Sequence, residues 1–265
     1  MKLYSNGCSY TWGGTLFSIK YTDDSGNYYY LPRDKDCEQN KKRLETVYPH
    51  HLGKLLNAAE VINDSMGGGS NDRIVRTTLD YFTNAKLKGQ DLTDYFVTIQ
   101  WTEPNRTEIY DDFFDHSYVG IMTNGLCAEN SQDGSYIHHE KVKKLYYKYF
   151  SNNVNDYNRL IKNIYSVGYF LRYHKIPHLF FSLGQLFSTW IEPEAQDVSR
   201  RVQLLDHYNS LMNDFTWFID ANQSMTTVMT FEDCMPEGTH PNAKGHQQIA
   251  QTLYDYINQH NLISK

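Results

Sequence analysis

Apolar positions along this chain alternate between two periods. Short, mostly apolar runs occupy 2–6 (KLYSN), 58–63 (AAEVIN), 94–100 (DYFVTIQ) and 178–184 (HLFFSLG), each followed by glycine, proline or a polar cluster, and each predicts a strand. Between them the spacing turns helical: Val47, Leu52, Leu55 and Leu56 within 46–57, Ile74, Val75, Leu79 and Phe82 after a Ser70 or Asn71 cap, and Tyr157, Leu160, Ile161, Ile164 and Leu171 within 154–174. Further helices are expected over 140–150 and 198–213, and a last one opens at Pro241, which suits a first helical position, with Ile249, Leu253 and Ile257 on its face. The stretch 215–220 reads equally as a strand or as more of the preceding helix. Strands alternating with helices predict an α/β domain whose mainly parallel sheet is covered on both faces.

Two polar segments interrupt this alternation. Residues 15–43 are tyrosine-rich (DDSGNYYYLPRDKD within them), and 111–135 are acidic and irregular. Both read as surface excursions, the second as a lid, so a single domain over 1–265 is expected to carry insertions at about 15–43 and 102–137. A loop at 185–193 containing Trp190 is a further candidate wall for a cleft.

Composition narrows the partners. A chain of 265 residues, 40% hydrophobic and 21% charged, has enough apolar surface for one large folded domain. Its 22 tyrosines put hydroxyls on much of that surface and suit a polar, sugar-like ligand. With a net charge of -6 and one dense basic cluster, KKR at 41–43, no nucleic-acid partner is expected. No run spans a bilayer and the amino terminus lacks a signal peptide's apolar core; no membrane association and a cytoplasmic location are expected, and a virion component or lysis-released protein would look the same. Cys8, Cys37, Cys127 and Cys234 form no CxxC pair and are expected as free thiols. Cys127 with His138 and His139 matches no zinc spacing, so no metal and no cofactor are expected, while oligomeric state stays open.

Candidate chemistry gathers where the strands end. Gly7 breaks the first strand and Ser9 follows it, in the crevice outside the strand ends where open α/β sheets bind ligands. A hydroxyl there is a nucleophile if a base takes its proton, and otherwise a cap. Gly67, Gly68 and Gly69 suit a backbone that takes positive φ or points N–H groups at an oxyanion, or simply a tight turn. No Gly-Lys-Ser/Thr follows, so a nucleotide P-loop is excluded. Pro104 then turns the chain out of the third strand, leaving Thr102, Asn105 and Arg106 toward the same crevice. Near the other end, His240 stands at a loop-to-helix junction, and Glu237 three residues earlier can accept a hydrogen bond from its imidazole, as a general base requires. His246, His50, His51, His138 and His139 read as ordinary polar residues.

Gly7-Cys8-Ser9, Asn63 with Gly68, the polar turn after the third strand and Glu237-x-x-His240 together resemble the SGNH (GDSL-type) hydrolases, most closely in GCSYTWG and PEGTHPNAKGH. The resemblance implies a flavodoxin-like three-layer α/β/α sandwich and hydrolysis of a small-molecule or glycan ester. It assigns Ser9 as nucleophile, His240 as base, Glu237 as its acidic partner, and the N–H groups of Ser9 and Gly68 as oxyanion hole. Trp12, Trp101, Thr102 and Arg106 are then candidate substrate contacts. Three departures stand out: Cys8 and Glu237 each replace an aspartate, and the Gly-x-Asn-Asp block after the third strand is absent. Asn105 and Asn71 are the candidates for the missing side-chain donor, whose loss typically costs about a hundredfold to a thousandfold in rate. Acyl transfer to an acceptor hydroxyl by the same residues, a catalytically silent binding or structural module, and a Cys8 nucleophile remain alternatives.

Overall fold

The computed structural model describes residues 1–14, 16, 21–22, 28–29, 38–111, 117–122, 125–128, 136–182, 198–218 and 240–263. The chain runs β1 (Lys2–Asn6), α1 (Ser9–Trp12), the two-residue strands β2 (Tyr21–Thr22) and β3 (Tyr28–Tyr29), α2 (Glu38–Thr46), α3 (Tyr48–Leu55), β4 (Glu60–Asn63) and α4 (Asn71–Leu87). It continues through β5 (Tyr95–Trp101), β6 (Thr107–Asp111), β7 (Ser117–Met122), β8 (Gly125–Ala128), α5 (Tyr136–Tyr149), α6 (Asn153–Tyr173), β9 (His178–Ser182), α7 (Val198–Asp214) and α8 (Ala243–Gln259).

The four apolar runs pair in parallel in the order β4-β1-β5-β9, with Asn6 opposite Ile99 and Trp101 opposite Ser182. Outside β9 the order is continued by one parallel bridge, Phe180 to Trp217, bonded through Phe180 N–H to Thr216 O and Phe218 N–H to Phe180 O at 2.8 Å each. Over the described part of 215–220, residues 215–218, α7 has stopped at Asp214 and the chain lies beside the sheet. β5 and β9 are buried along their whole lengths, whereas β4 is half-buried at the edge.

Alternation along β5 builds the two outer layers. Tyr95, Val97, Ile99 and Trp101 enter one core with Ile74 and Phe82 of α4 and Leu160, Ile164 and Leu171 of α6. Phe96 enters the other, with Leu52 of α3 and Ile249, Leu253 and Ile257 of α8. Each fully buried side chain of this kind stabilises the fold by about 1.5–3 kcal/mol. The result is a flavodoxin-like three-layer α/β/α sandwich. Among the described residues no helix is long and apolar enough to cross a membrane.

Three expectations are corrected. The surface excursion expected over 15–43 gives way at Glu38 to a helix, α2, while the helix expected over 46–57 is present as α3, with Pro49 in its first turn, where no intrahelical donor is needed. The stretch 111–135, read as an irregular lid, contains β7 and β8, which pair with β6 into a three-stranded antiparallel sheet tied to the body by Arg76, which forks onto both oxygens of Glu108 at 2.8 and 3.0 Å. Finally, Pro241 precedes the cap of α8 instead of opening the helix; Asn242 caps it, accepting from the Gly245 N–H at 3.0 Å.

Candidate active site

All three polar turns that leave β1, β4 and β5 lie at one edge of the sheet, because parallel strands share their carboxyl ends. The turn after β1 is held from below. On the α3/α8 face the buried pair Ser5 and Thr98 meets at 2.7 Å, and one step further Gln100 Oε1 accepts from Thr11 Oγ1 at 2.5 Å and faces Cys8 Sγ at 3.7 Å. Tyr48 of α3 reaches the same Thr11 hydroxyl at 3.2 Å. These contacts fix the single helical turn α1, which begins at Ser9 and closes at Gly13 in the left-handed conformation.

His240 arrives from the far end of the chain on the residues that enter α8. Its Nε2 lies 2.9 Å from Ser9 Oγ, across 231 positions of sequence. Tyr10 braces the imidazole, with ring centroids 5.0 Å apart. Gly14 returns past the pair so closely that a Cβ there would stand 3.0 Å from Ser9 Cβ and 3.3 Å from His240 Cδ2. Glu237, Trp190, Cys37 and Cys234 lie outside the described residues.

The triglycine turn after β4 docks against α1. Asn63 Nδ2 donates to Thr11 O and the Met66 N–H to Gly7 O, each at 3.2 Å, and Gly67 faces the Trp12 ring where a Cβ would come within 3.2 Å. Gly68 has φ of 73°, a conformation that disfavours any side chain. Among the described residues neither the Ser9 N–H nor the Gly68 N–H has an acceptor. Trp12 itself is half-buried beneath Arg43, whose guanidinium sits 4.2 Å from the ring centroid and donates to Trp12 O.

Beyond β5 the candidates separate. Trp101 is 0% exposed and packs edge-on to Phe180 in the α4/α6 core, because strand alternation turns it away from the cleft. Thr102 is also 0% exposed and lines no open surface. Asn71 spends its amide on Thr102: Oδ1 accepts from the Thr102 N–H and Nδ2 donates to Thr102 O, both at 2.9 Å. That commitment removes Asn71 as a donor to Ser9 and makes it a clamp. Asn71→Ala strands two buried backbone groups and is expected to cost about 3 kcal/mol in urea unfolding, whereas a loss under about 0.5 kcal/mol contradicts the clamp. Asn105 and Arg106 are half-buried, and Arg106 Nε bonds Glu103 Oε2 at 3.0 Å.

Several residues around the site carried no motif: Gln100 and Arg43 above all. Gln100 stood in an apolar strand, where a lone buried polar residue is itself a signal. Among the described residues, no group of three or more His, Cys, Asp or Glu side chains is disposed to hold a metal ion. Cys8 is a buried free thiol turned toward Gln100.

Residues 31–265 match the model of a family of unknown function, DUF6071. No curated protein sequence matches the chain. Among solved structures, TesA superposes with a TM-score of 0.50 at 11% identity, covering 99% of this chain and 100% of that one. A member of the lipolytic protein G-D-S-L family from Veillonella parvula gives 0.47 at 11% identity over 98% of this chain and 99% of that one. The psychrotrophic esterase EstA from a Pseudoalteromonas species gives 0.45 at 10% identity over 98% and 99%. At 11% identity the likeness to TesA is one of fold.

Proposed function

The chain belongs to the DUF6071 family of unknown function, and we propose that it is a serine-dependent ester hydrolase of the SGNH type, acting through Ser9 and His240. The observation that carries this reading is the 2.9 Å contact between Ser9 Oγ and His240 Nε2 at the carboxyl edge of a parallel sheet. His240 takes the Ser9 proton as Oγ adds to the ester carbonyl, and the imidazolium then protonates the departing alkoxide. Water, deprotonated by the same imidazole, adds to the acyl-serine and releases the acid and the free serine. The N–H groups of Ser9 and Gly68, which have no acceptor among the described residues, support an oxyanion hole at this turn. Glu237 is the acidic partner in this scheme, on sequence grounds. Cys8 fits the nucleophile's role less well, being 0% exposed and turned toward Gln100.

The tyrosine-rich, polar insertions favour a polar ester, such as an acylated carbohydrate, over a long-chain lipid. Incubation with para-nitrophenyl acetate, with and without a polyol acceptor, tests the reaction class. Hydrolysis predicts free acetate as the product in both mixtures. Acetylated polyol as the main product would make the protein a transferase, and no para-nitrophenolate above the buffer rate would overturn the reading.

A further inference from the structure

The turn that leaves β5 has no regular structure, yet each of its carbonyls is satisfied from elsewhere. Thr102 O accepts from Asn71 Nδ2 at 2.9 Å, Glu103 O from the Arg106 N–H at 3.2 Å, Pro104 O from Arg159 Nη2 at 2.9 Å and Asn105 O from the Tyr147 hydroxyl at 3.3 Å. Three of those donors come from α4, α6 and α5. Arg159 is in turn fixed by Asp156 at 2.9 Å, Asp72 at 3.5 Å and the Tyr146 hydroxyl at 2.6 Å. A turn pinned at successive residues by three helices presents its side chains from a rigid base, as selective recognition requires.

Against that order, three side chains of the turn hold polar atoms without a partner among the described residues: the Thr102 hydroxyl, the Asn105 amide oxygen and the Arg106 guanidinium. Among the described residues the Arg106 guanidinium has one partner, Glu103, which engages Nε at 3.0 Å and leaves both Nη atoms without an acceptor. The arginine side chain is only 14% exposed and the glutamate's 54%, so water screens the counter-charge while the cation is held in the protein. A guanidinium is not deprotonated in proteins, so the positive charge persists despite this burial. Arg106 stands on the turn that leaves β5, the strand paired with β1 with Asn6 opposite Ile99, so this cation and Ser9 are carried by neighbouring turns at one edge of the sheet. Among the described residues Asn105 Oδ1 is buried without a partner, and a half-turn of its amide puts an N–H donor in the position of that oxygen.

A guanidinium edge with two open N–H groups is suited to bidentate recognition of an oxyanion. We propose that Arg106 reads a carboxylate or phosphate group carried by the ester that Ser9 attacks, so that the preferred substrates are anionic esters. The kinetic half of this inference rests on the ester-hydrolase reading; the binding half does not.

Hydrolysis of phenyl acetate, para-acetoxybenzoate and para-acetoxyphenyl phosphate is compared for the wild type, Arg106→Gln, Arg106→Lys and Glu103→Gln. The ratio of kcat/KM for an anionic ester to that for the neutral one is expected to fall about ten- to a hundredfold in Arg106→Gln. Arg106→Lys, which keeps the charge without the fork, recovers part of it, and Glu103→Gln, which removes the competing carboxylate, raises it. The larger wild-type ratio identifies the carboxylate or the phosphate as the group read. A ratio that Arg106→Gln leaves unmoved overturns the inference. In parallel, Ser9→Ala and Ser9→Ala/Arg106→Gln are titrated calorimetrically with benzoate and phenyl phosphate. Binding about tenfold or more weaker in the double variant supports the anion site, while equal affinity, or none in either protein, overturns it. Arg106-dependent binding without any ester turnover retains the anion site and removes the ester chemistry instead.

Discussion

Ser9→Ala and His240→Ala are each expected to lower kcat/KM for para-nitrophenyl acetate at least about a thousandfold. The two residues act on one proton, so the losses are not additive: Ser9→Ala/His240→Ala sinks little further than either single variant. Neither substitution removes a large core side chain, and melting temperatures within a few degrees of the wild type separate a chemical loss from an unfolded protein. Residual activity within about tenfold of the wild type in Ser9→Ala would mean that the 2.9 Å contact is a hydrogen bond without chemistry.

Acid is expected to unfold the protein through His246. This imidazole is 0% exposed, accepts the Tyr48 N–H at Nδ1 at 3.2 Å, and therefore carries its proton on Nε2, which is buried with no partner among the described residues. Burial, reinforced by His51, His240 and Arg43, pushes its pKa down to about 3. The sign follows from linkage. In the unfolded chain an ordinary histidine takes up a proton below about pH 6.5, so between there and about 3 the unfolded state binds the extra proton and is favoured. His246 thus contributes stability that is fully present above about pH 6.5 and is lost as the pH falls, at up to about 1.4 kcal/mol per pH unit. Going from about pH 7 to about pH 5 costs about 2 kcal/mol from this residue, or about 4–8 °C in Tm. His178, whose pKa burial also lowers, adds to the slope in the same direction. In His246→Asn, which keeps an acceptor for Tyr48 N–H, thermal melts across this range should show a flatter pH dependence. An unchanged slope would contradict the assignment.

His246 also shows what the sequence offered and what was hard to read in it. It shares a helical face with Ile249, Ala250, Leu253 and Ile257, so the spacing that marked α8 also marked it for burial. Expected as an ordinary polar residue, it is instead fully buried. The strands β1, β5 and β9 were legible because a sheet covered on both faces needs nearly continuous apolar runs. The strands β6, β7 and β8 were not, since acidic and glycine residues break their alternation and the tie to α4 runs through the ion pair of Arg76 and Glu108. At the site, Ser9 and His240 were visible through the turns that carry them. The roles of Asn71 and Trp101 depended on which face and which neighbour each met, and that is decided by register between strands and helices.

Active-site labelling is the most direct measure of the nucleophile. The wild type, Ser9→Ala and Cys8→Ser proteins are treated with a fluorophosphonate, digested, and the modified peptide located by mass spectrometry. The expected result is one phosphonyl adduct on Ser9 in the wild type and Cys8→Ser proteins and none in Ser9→Ala. An adduct that persists in Ser9→Ala, or a wild type that takes no label, would contradict a serine nucleophile at the end of β1.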